Sequence, residues 1–289
     1  MRLKNLLFVA LSLLVLGGCQ TLDTLKHPFA KPVEPSLLER AQTADRLAQT
    51  VGYTKRIIAT DQFDIVTYGT LKAPGKAVHI YIEGDGLTHF NEVPSMNSTP
   101  LVPVGLQLAT ADNFENVIYL AKPCQYVSIN EKCIPKYWTS HRYAPEVINA
   151  MYQALNAIKY QYGMKEFHLF GYDGGGAVAT ILAANRDDVL SLRTIAGNLD
   201  HITYAIHNDK PLMSASLNAA DFAPGVETIP QVHFTGANDL VMPASVFGSF
   251  KESIGSTECL RHEVIENSAH ADGWAKRWPA LLVMKPFCQ

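Results

Sequence analysis

Three stretches of the 289-residue chain carry residue types that can do chemistry together. The first, Gly171-Tyr172-Asp173-Gly174-Gly175, lies between an apolar β-run, Phe167–Phe170, and a small-residue helix, AVATILAANR. A sharp strand-to-helix turn pushes its middle residue into a strained, exposed position. Its neighbours must be small because the backbones pass closely. Such a turn usually presents a serine; here it presents Asp173. The N–H of Gly174, at a helix start, is placed to stabilise a developing oxyanion. The second stretch, TGANDLVMP (235–243), sets Asp239 after a strand and before a proline-opened helix. The third, NSAHADGW (267–274), offers His270 on the loop after the last strand. Singly they read as a Gly-rich turn, a helix-start acid and a loop histidine. Together they stand in the order nucleophile, acid, histidine, each at a strand end.

The elements that must position them alternate in type. Strands are expected at Phe63–Tyr68, Val78–Ile82, Val117–Ala121, Phe167–Phe170, Leu192–Ala196, Val232–Thr235 and His262–Ile265. Between them, Pro145 opens a helix whose Ile148, Met151, Leu155 and Ile158 recur at helical spacing, and Gly163 stops it. A further helix is expected from about Ala244 to Ser253, and an apolar stretch around Trp278–Met284 closes the chain. Short continuous apolar strands alternating with helices predict an α/β fold, a mainly parallel sheet covered on both faces. Ligands of such sheets sit at the carboxyl ends of the strands, where all three stretches lie.

The N-terminus has another character. Arg2 and Lys4 precede an apolar run, Leu6–Leu16, then Gly17, Gly18 and Cys19. This is the plan of a signal peptide, and the run is about half the ~20 residues a membrane-spanning helix needs. Leu16-Gly17-Gly18-Cys19 resembles a bacterial lipobox, which implies cleavage before Cys19 and acylation of its thiol. Gln20 in the next position implies an outer-membrane address, facing the periplasm. The expected organisation is a signal peptide at 1–18, a lipid-anchored tether and short helix at 19–50, and a hydrolase-type domain at 51–289. Residues 1–18 hold two of the 24 basic residues and none of the 27 acids, so the remainder carries a formal charge of −5. With no Lys/Arg-rich run, nucleic acid is not an expected partner. In an exported chain, the four remaining cysteines suggest two disulfides. The local pairing is Cys124 with Cys133 and Cys259 with Cys288, one of three connectivities that four cysteines allow. No CxxC or HxxxH spacing points to a metal.

From about residue 60 to 285 the chain resembles the α/β-hydrolase superfamily, and more narrowly bacterial α/β-hydrolase lipoproteins of esterase/lipase type. FGYDGGGAVA (170–179), GANDLVMP (236–243) and SAHADGW (268–274) carry the resemblance. It implies a doubly wound sheet, Asp173 at the nucleophile position, Asp239 orienting the imidazole and His270 as base. It places Asp85 and Gly86 of Glu83-Gly84-Asp85-Gly86 beside Gly174 in the oxyanion loop. It implies a monomer, no cofactor, and a small or lipid-like substrate.

Asp173 departs from the esterase pattern. A carboxylate needs no deprotonation. It attacks an sp³ carbon and gives an alkyl ester that His-activated water hydrolyses, as in haloalkane dehalogenases and epoxide hydrolases. Those families place Trp after the Asp, where Gly174 stands, and a longer cap than residues 198–231 provide. Three readings stay open: an Asp-nucleophile hydrolase of ester, epoxide or alkyl halide; an esterase scaffold without its serine, acting as a cell-envelope binding protein; and an ester hydrolase with Asp173 as general base. Asp200 is a rival for Asp239. The segment 124–143, with Tyr126, Tyr137, Trp138, His141, Arg142 and Tyr143, is either an aromatic lid or a packed excursion. His89 and Phe90 are candidates to line the pocket. His79, His168 and His233, inside strands, are expected to be structural, and Trp274 and Trp278 to pack the last helix.

Overall fold

The structure, a computed structural model, describes residues 32–128 and 130–288. The signal segment and Cys19 lie outside the described residues. Pro35–Gln289 forms one compact unit. Its chain begins with α1 (Leu37–Gln49), started by a capping box. The Ser36 hydroxyl accepts the Glu39 N–H and the Glu39 carboxylate accepts the Ser36 N–H. Then follow β1 (Thr54–Ala59), β2 (Asp64–Leu71), β3 (Val78–Ile82), a small hairpin of β4 (His89–Phe90) and β5 (Val93–Pro94), α2 (Val104–Thr110) and β6 (Asn116–Leu120). Next come α3 (Pro145–Gln161), β7 (Phe167–Tyr172), α4 (Gly174–Ala184), β8 (Val189–Ile195), α5 (His201–His207), β9 (Gln231–Gly236), α6 (Ala244–Ile254), β10 (Leu260–Ile265) and α7 (Trp274–Leu282).

Eight strands form one sheet in the order β1-β2-β6-β3-β7-β8-β9-β10. β1 and β2 pair antiparallel, as do β2 and β6; every later pair is parallel. Successive residues on a strand face opposite sides, and the core divides accordingly. Ile65, Ile80, Ile82, Leu120 and Leu169 join one apolar cluster with residues of α3, α4 and α6. Val66, Tyr81, Tyr119, Phe170 and Phe234 join a second with residues of α1, α2 and α7. The sheet is therefore covered on both faces, as the continuous apolar strands predict.

Every strand expected from the sequence is present, with bounds shifted by a residue or a few. β1, α2 and α5 carry little periodic signal. β1 is an exposed edge strand containing Lys55 and Arg56, and each of the two helices has only seven residues. The disulfides Cys124–Cys133 and Cys259–Cys288 both form. The second ties β10 to the last residues of the chain. Tyr126, Tyr137, Trp138 and Tyr143 are all buried, so the aromatic part of 124–143 is a packed excursion.

Trp278 is fully buried on the second face. Its indole N–H donates to the Tyr81 hydroxyl at 3.0 Å, and its ring packs on Tyr81, Phe170 and Phe234. Trp278→Ala removes this ring and leaves a cavity, so a loss of about 3–5 kcal/mol in unfolding free energy is expected. Urea titration of the two proteins checks it.

Candidate active site

Asp173 stands between the end of β7 and the start of α4 with φ 49° and ψ −122°. A non-glycine residue holds such a conformation only when its surroundings over-determine it. Here the Asp173 N–H donates to the Ile195 carbonyl, and its own carbonyl accepts the N–H groups of Gly176 and Asn198, at 2.9–3.0 Å. The glycines after it are imposed by close approach. A Cβ on Gly175 would overlap the carbonyls of Ile82 and Glu83, and one on Gly174 would overlap the Asp85 carboxylate. α4 can thus start against β3 only with glycine in those places.

The structure brings the three proposed catalytic residues together. His270 Nδ1 lies 3.0 Å from Asp239 Oδ2, and His270 Nε2 lies 3.6 Å from Asp173 Oδ1. Asp239 is held in turn by the N–H groups of Val241 and Met242, each donating to Oδ1 at 2.8 Å. The His270 loop is fixed from behind. The Trp274 indole N–H donates to the carbonyls of Ala269 and His270 at 2.8 and 2.9 Å, and the Tyr172 hydroxyl donates to the His270 carbonyl at 3.2 Å. Burial alone would push the His270 pKa down. The neighbouring Asp173 and then Asp239 carboxylates more than reverse this and raise it to about 10. The two carboxylates thus favour the protonated ring.

Asp200, the rival acid, serves elsewhere. Its carboxylate caps α5 through the N–H groups of Ile202 and Thr203 and accepts from Ser249 and Asn218. His79, His168 and His233 pair with Asp112, Ser191 and Thr194 respectively, in keeping with structural roles.

The loop Glu83-Gly84-Asp85-Gly86 has a specific geometry. The Asp85 N–H donates to Asp173 Oδ2 at 2.9 Å. Gly86 instead makes a turn at φ 69°, where a Cβ would overlap the Ser98 carbonyl. The Asp85 side chain anchors that N–H. It is buried and ion-pairs with Lys122, accepts from Arg142 Nη1 at 2.9 Å and accepts from the Tyr143 hydroxyl at 2.9 Å. Burial would raise the Asp85 pKa, but Lys122 and Arg142 outweigh it and hold the carboxyl well below the usual range. Below the loop, buried Glu83 accepts the N–H groups of Gly84 and Gly105, while desolvation lifts its pKa to about 7. Lys122 gives no motif, although a lysine closing the apolar run VIYLA was a visible signal.

A cavity of about 580 Å³ adjoins this loop, lined among others by His89, Arg142, Tyr204, Lys210, Leu212 and Met213. His89 lies where the sequence placed it; Phe90 is not among the lining residues. Among the described residues no cluster of three His, Cys, Asp or Glu side chains could hold a metal ion.

Neither a family model nor a curated protein sequence matches the chain. Solved structures do. An esterase from Pyrococcus furiosus superposes with TM-score 0.59 at 12% identity, covering 88% of this chain and 95% of that one. An alpha-beta serine hydrolase homologue from Coxiella burnetii gives TM-score 0.51 at 16% identity, covering 79% and 93%. A membrane phospholipase A, a bacterial virulence factor, gives 0.52 at 15%, covering 86% and 90%. The fold is that of the α/β-hydrolases. At these identities the likeness is one of fold, and the site stands on its own geometry.

The raised His270 pKa has a definite consequence for stability. Taking its unfolded value as 6.5, the group contributes fully below that pH, and the contribution is lost as pH rises through about 10. Asp173→Asn removes one of the two charges that hold the proton. NMR titration of the His270 ring is expected to show a lower pKa in Asp173→Asn than in the parent. The alkaline decline in stability, which starts at the shared unfolded value, should be smaller in that variant and end at lower pH.

Proposed function

We propose that the chain is a hydrolase in which Asp173 attacks an sp³ carbon of a small or lipid-like substrate and His270 then activates water. The observation that carries this reading is the division of labour on the Asp173 carboxylate. Oδ2 accepts the Asp85 N–H at 2.9 Å, while Oδ1 faces His270 at 3.6 Å, beyond hydrogen-bond length. Oδ1 attacks, the bond from carbon to the leaving group breaks, and the leaving group takes the electron pair. The product is an alkyl ester of Asp173 whose carbonyl oxygen is Oδ2.

Forming that ester removes the Asp173 negative charge. His270 loses one of the two interactions that raise its pKa and releases its proton more readily. It becomes a base when a base is needed. His270 Nε2 takes a proton from water, whose oxygen adds to the ester carbon, and the charge developing on Oδ2 meets the Asp85 N–H. The bond between that carbon and Oδ1 then breaks. The imidazolium protonates the departing alkoxide, and Asp173 keeps the oxygen from water. The phospholipase and esterase among the structural neighbours are compatible with a lipid-like substrate.

A second reading has an observation of its own. With the His270 proton held between two carboxylates, the resting site lacks a free base, as suits a binding protein on an esterase scaffold. A panel of nitrophenyl esters, epoxides and haloalkanes separates the two. The covalent route requires turnover of an epoxide or a haloalkane, the panel members with an sp³ carbon to attack, that His270→Ala abolishes, with a substrate-derived mass adduct accumulating on Asp173 of that variant. Single turnover in heavy-oxygen water should label Asp173 of the parent. No turnover by the parent, together with esterase activity gained in Asp173→Ser, would identify the disabled scaffold.

For the cellular setting, the proposal is that Cys19 carries a lipid that holds the domain at the outer membrane, facing the periplasm, as a monomer. Metabolic labelling with palmitate is expected to mark the chain and to be lost in Cys19→Ala, which should also move the protein from the detergent phase to the aqueous phase.

A further inference from the structure

The cavity lined by Arg142 holds two cationic side chains, Arg142 and Lys210, and one acid. Arg142 lines it and reaches the site through one residue: its Nη1 donates to the Asp85 carboxylate, and the Asp85 N–H donates to Asp173. Arg142 is fixed rather than mobile. Its Nε donates to the Thr139 carbonyl at 2.9 Å, Nη2 has no hydrogen-bond partner among the described residues, and the side chain remains 15% exposed. Lys210, after α5, also lines the cavity, is exposed and has no ion-pair partner among the described residues. His89 lies between the two influences. Its pKa is lowered first by burial and then by the charges of Arg142 and Lys210, and all three side chains line the cavity. Glu92 is the one acid on the lining, and Leu212, Met213 and Tyr204 supply apolar surface.

From this arrangement we infer that the cavity is a subsite for an anionic oxygen group, a carboxylate or phosphate, on the far end of the substrate, bound by Arg142 and Lys210. The substrate class is then an amphiphile: an apolar stem against Leu212 and Met213, with the anion between the two cations. A planar guanidinium already held at two nitrogens can meet such a group with little loss of rotamer entropy. The inference rests on the reading of Asp173 as the reacting group only in naming the ligand a substrate; the binding site itself does not need that reading. There is also an internal logic to it. When Asp173 becomes a neutral ester, Asp85 is the carboxylate that Lys122 and Arg142 still pair with. An anion on the substrate restores the balance at that moment.

Two measurements test it on the intact chain. Titration calorimetry compares hexanoate, hexyl phosphate and hexanol. Either anion is expected to bind at least about tenfold more tightly than the alcohol, and the tighter of the two identifies the group. Lys210→Gln and Arg142→Gln should each erase most of that ratio. Lys210 is exposed, so its variant reports even where loss of Arg142 disturbs the buried Asp85 cluster. The second measurement is turnover of matched pairs: nitrophenyl hexanoate with nitrophenyl hydrogen adipate, epoxyhexane with epoxyhexanoate, and bromohexane with bromohexanoate. The anionic member should have the higher kcat/KM, chiefly through KM, and Lys210→Gln should collapse the difference. Equal affinity for the three calorimetric probes, or a ratio untouched by Lys210→Gln, overturns the subsite. Absence of turnover across all pairs while the anion still binds tightly overturns the Asp173 reading and leaves the subsite standing.

Discussion

An imidazole ring held between two carboxylates is the constraint around which this molecule is arranged. His270 sits 3.0 Å from Asp239 and 3.6 Å from Asp173, and its protonation follows from those two charges against the cost of burial. Each partner arrives from a different strand end, and each is fixed by backbone rather than by chance packing. Asp173 is set by carbonyl and amide bonds to β8 and the loop after it, Asp239 by the amides of Val241 and Met242, and His270 by the Trp274 indole. A parallel sheet with both faces covered brings such loops to one edge, and the ion triad is what that edge supports.

The charge state gives the site a direction. The two neighbouring carboxylates favour the protonated His270 ring, which in that form is a poor base. Neutralising Asp173 weakens the hold on that proton. A carboxylate nucleophile and a strongly paired histidine are thus consistent with one another, where a serine nucleophile would need a neutral ring from the start. The second cluster, Asp85 with Lys122, Arg142 and Tyr143, keeps the amide of the oxyanion loop pointed at Asp173. Isolated buried charges are costly, and pairing plus hydrogen bonding at three points offsets that cost.

Much of this was legible in the residues. The strands announced themselves as apolar runs, the turn at Asp173 by its glycines, and Asp239 and His270 by their places after strands. The disulfides followed from nearest-neighbour pairing. Less legible were features that depend on tertiary position. β1 is an edge strand whose exposed faces carry Lys55 and Arg56, so no alternation marks it. The resemblance placed Asp85 in the oxyanion loop, and its N–H donates to Asp173 Oδ2. Nothing local indicates that its side chain would be enclosed by Lys122 and Arg142, residues 37 and 57 positions away. The aromatic segment 124–143 shows the same limit. Its composition suits a lid as well as a core, and only the packing of Trp138 and Tyr143 against neighbouring elements decides it.

Glycine at position 174 leaves room that its neighbours fill. The volume a Cβ would fill there is taken by the carboxylate of Asp85 and the hydroxyl of Tyr143. Positions 85 and 174 therefore share one allotment of space. A lineage that enlarged the residue following the turn would have to surrender the acid on the facing loop, and with it the reason for two cations beneath. Drift at either site alone meets a steric or electrostatic barrier, so the pair should pass between descendants as a unit.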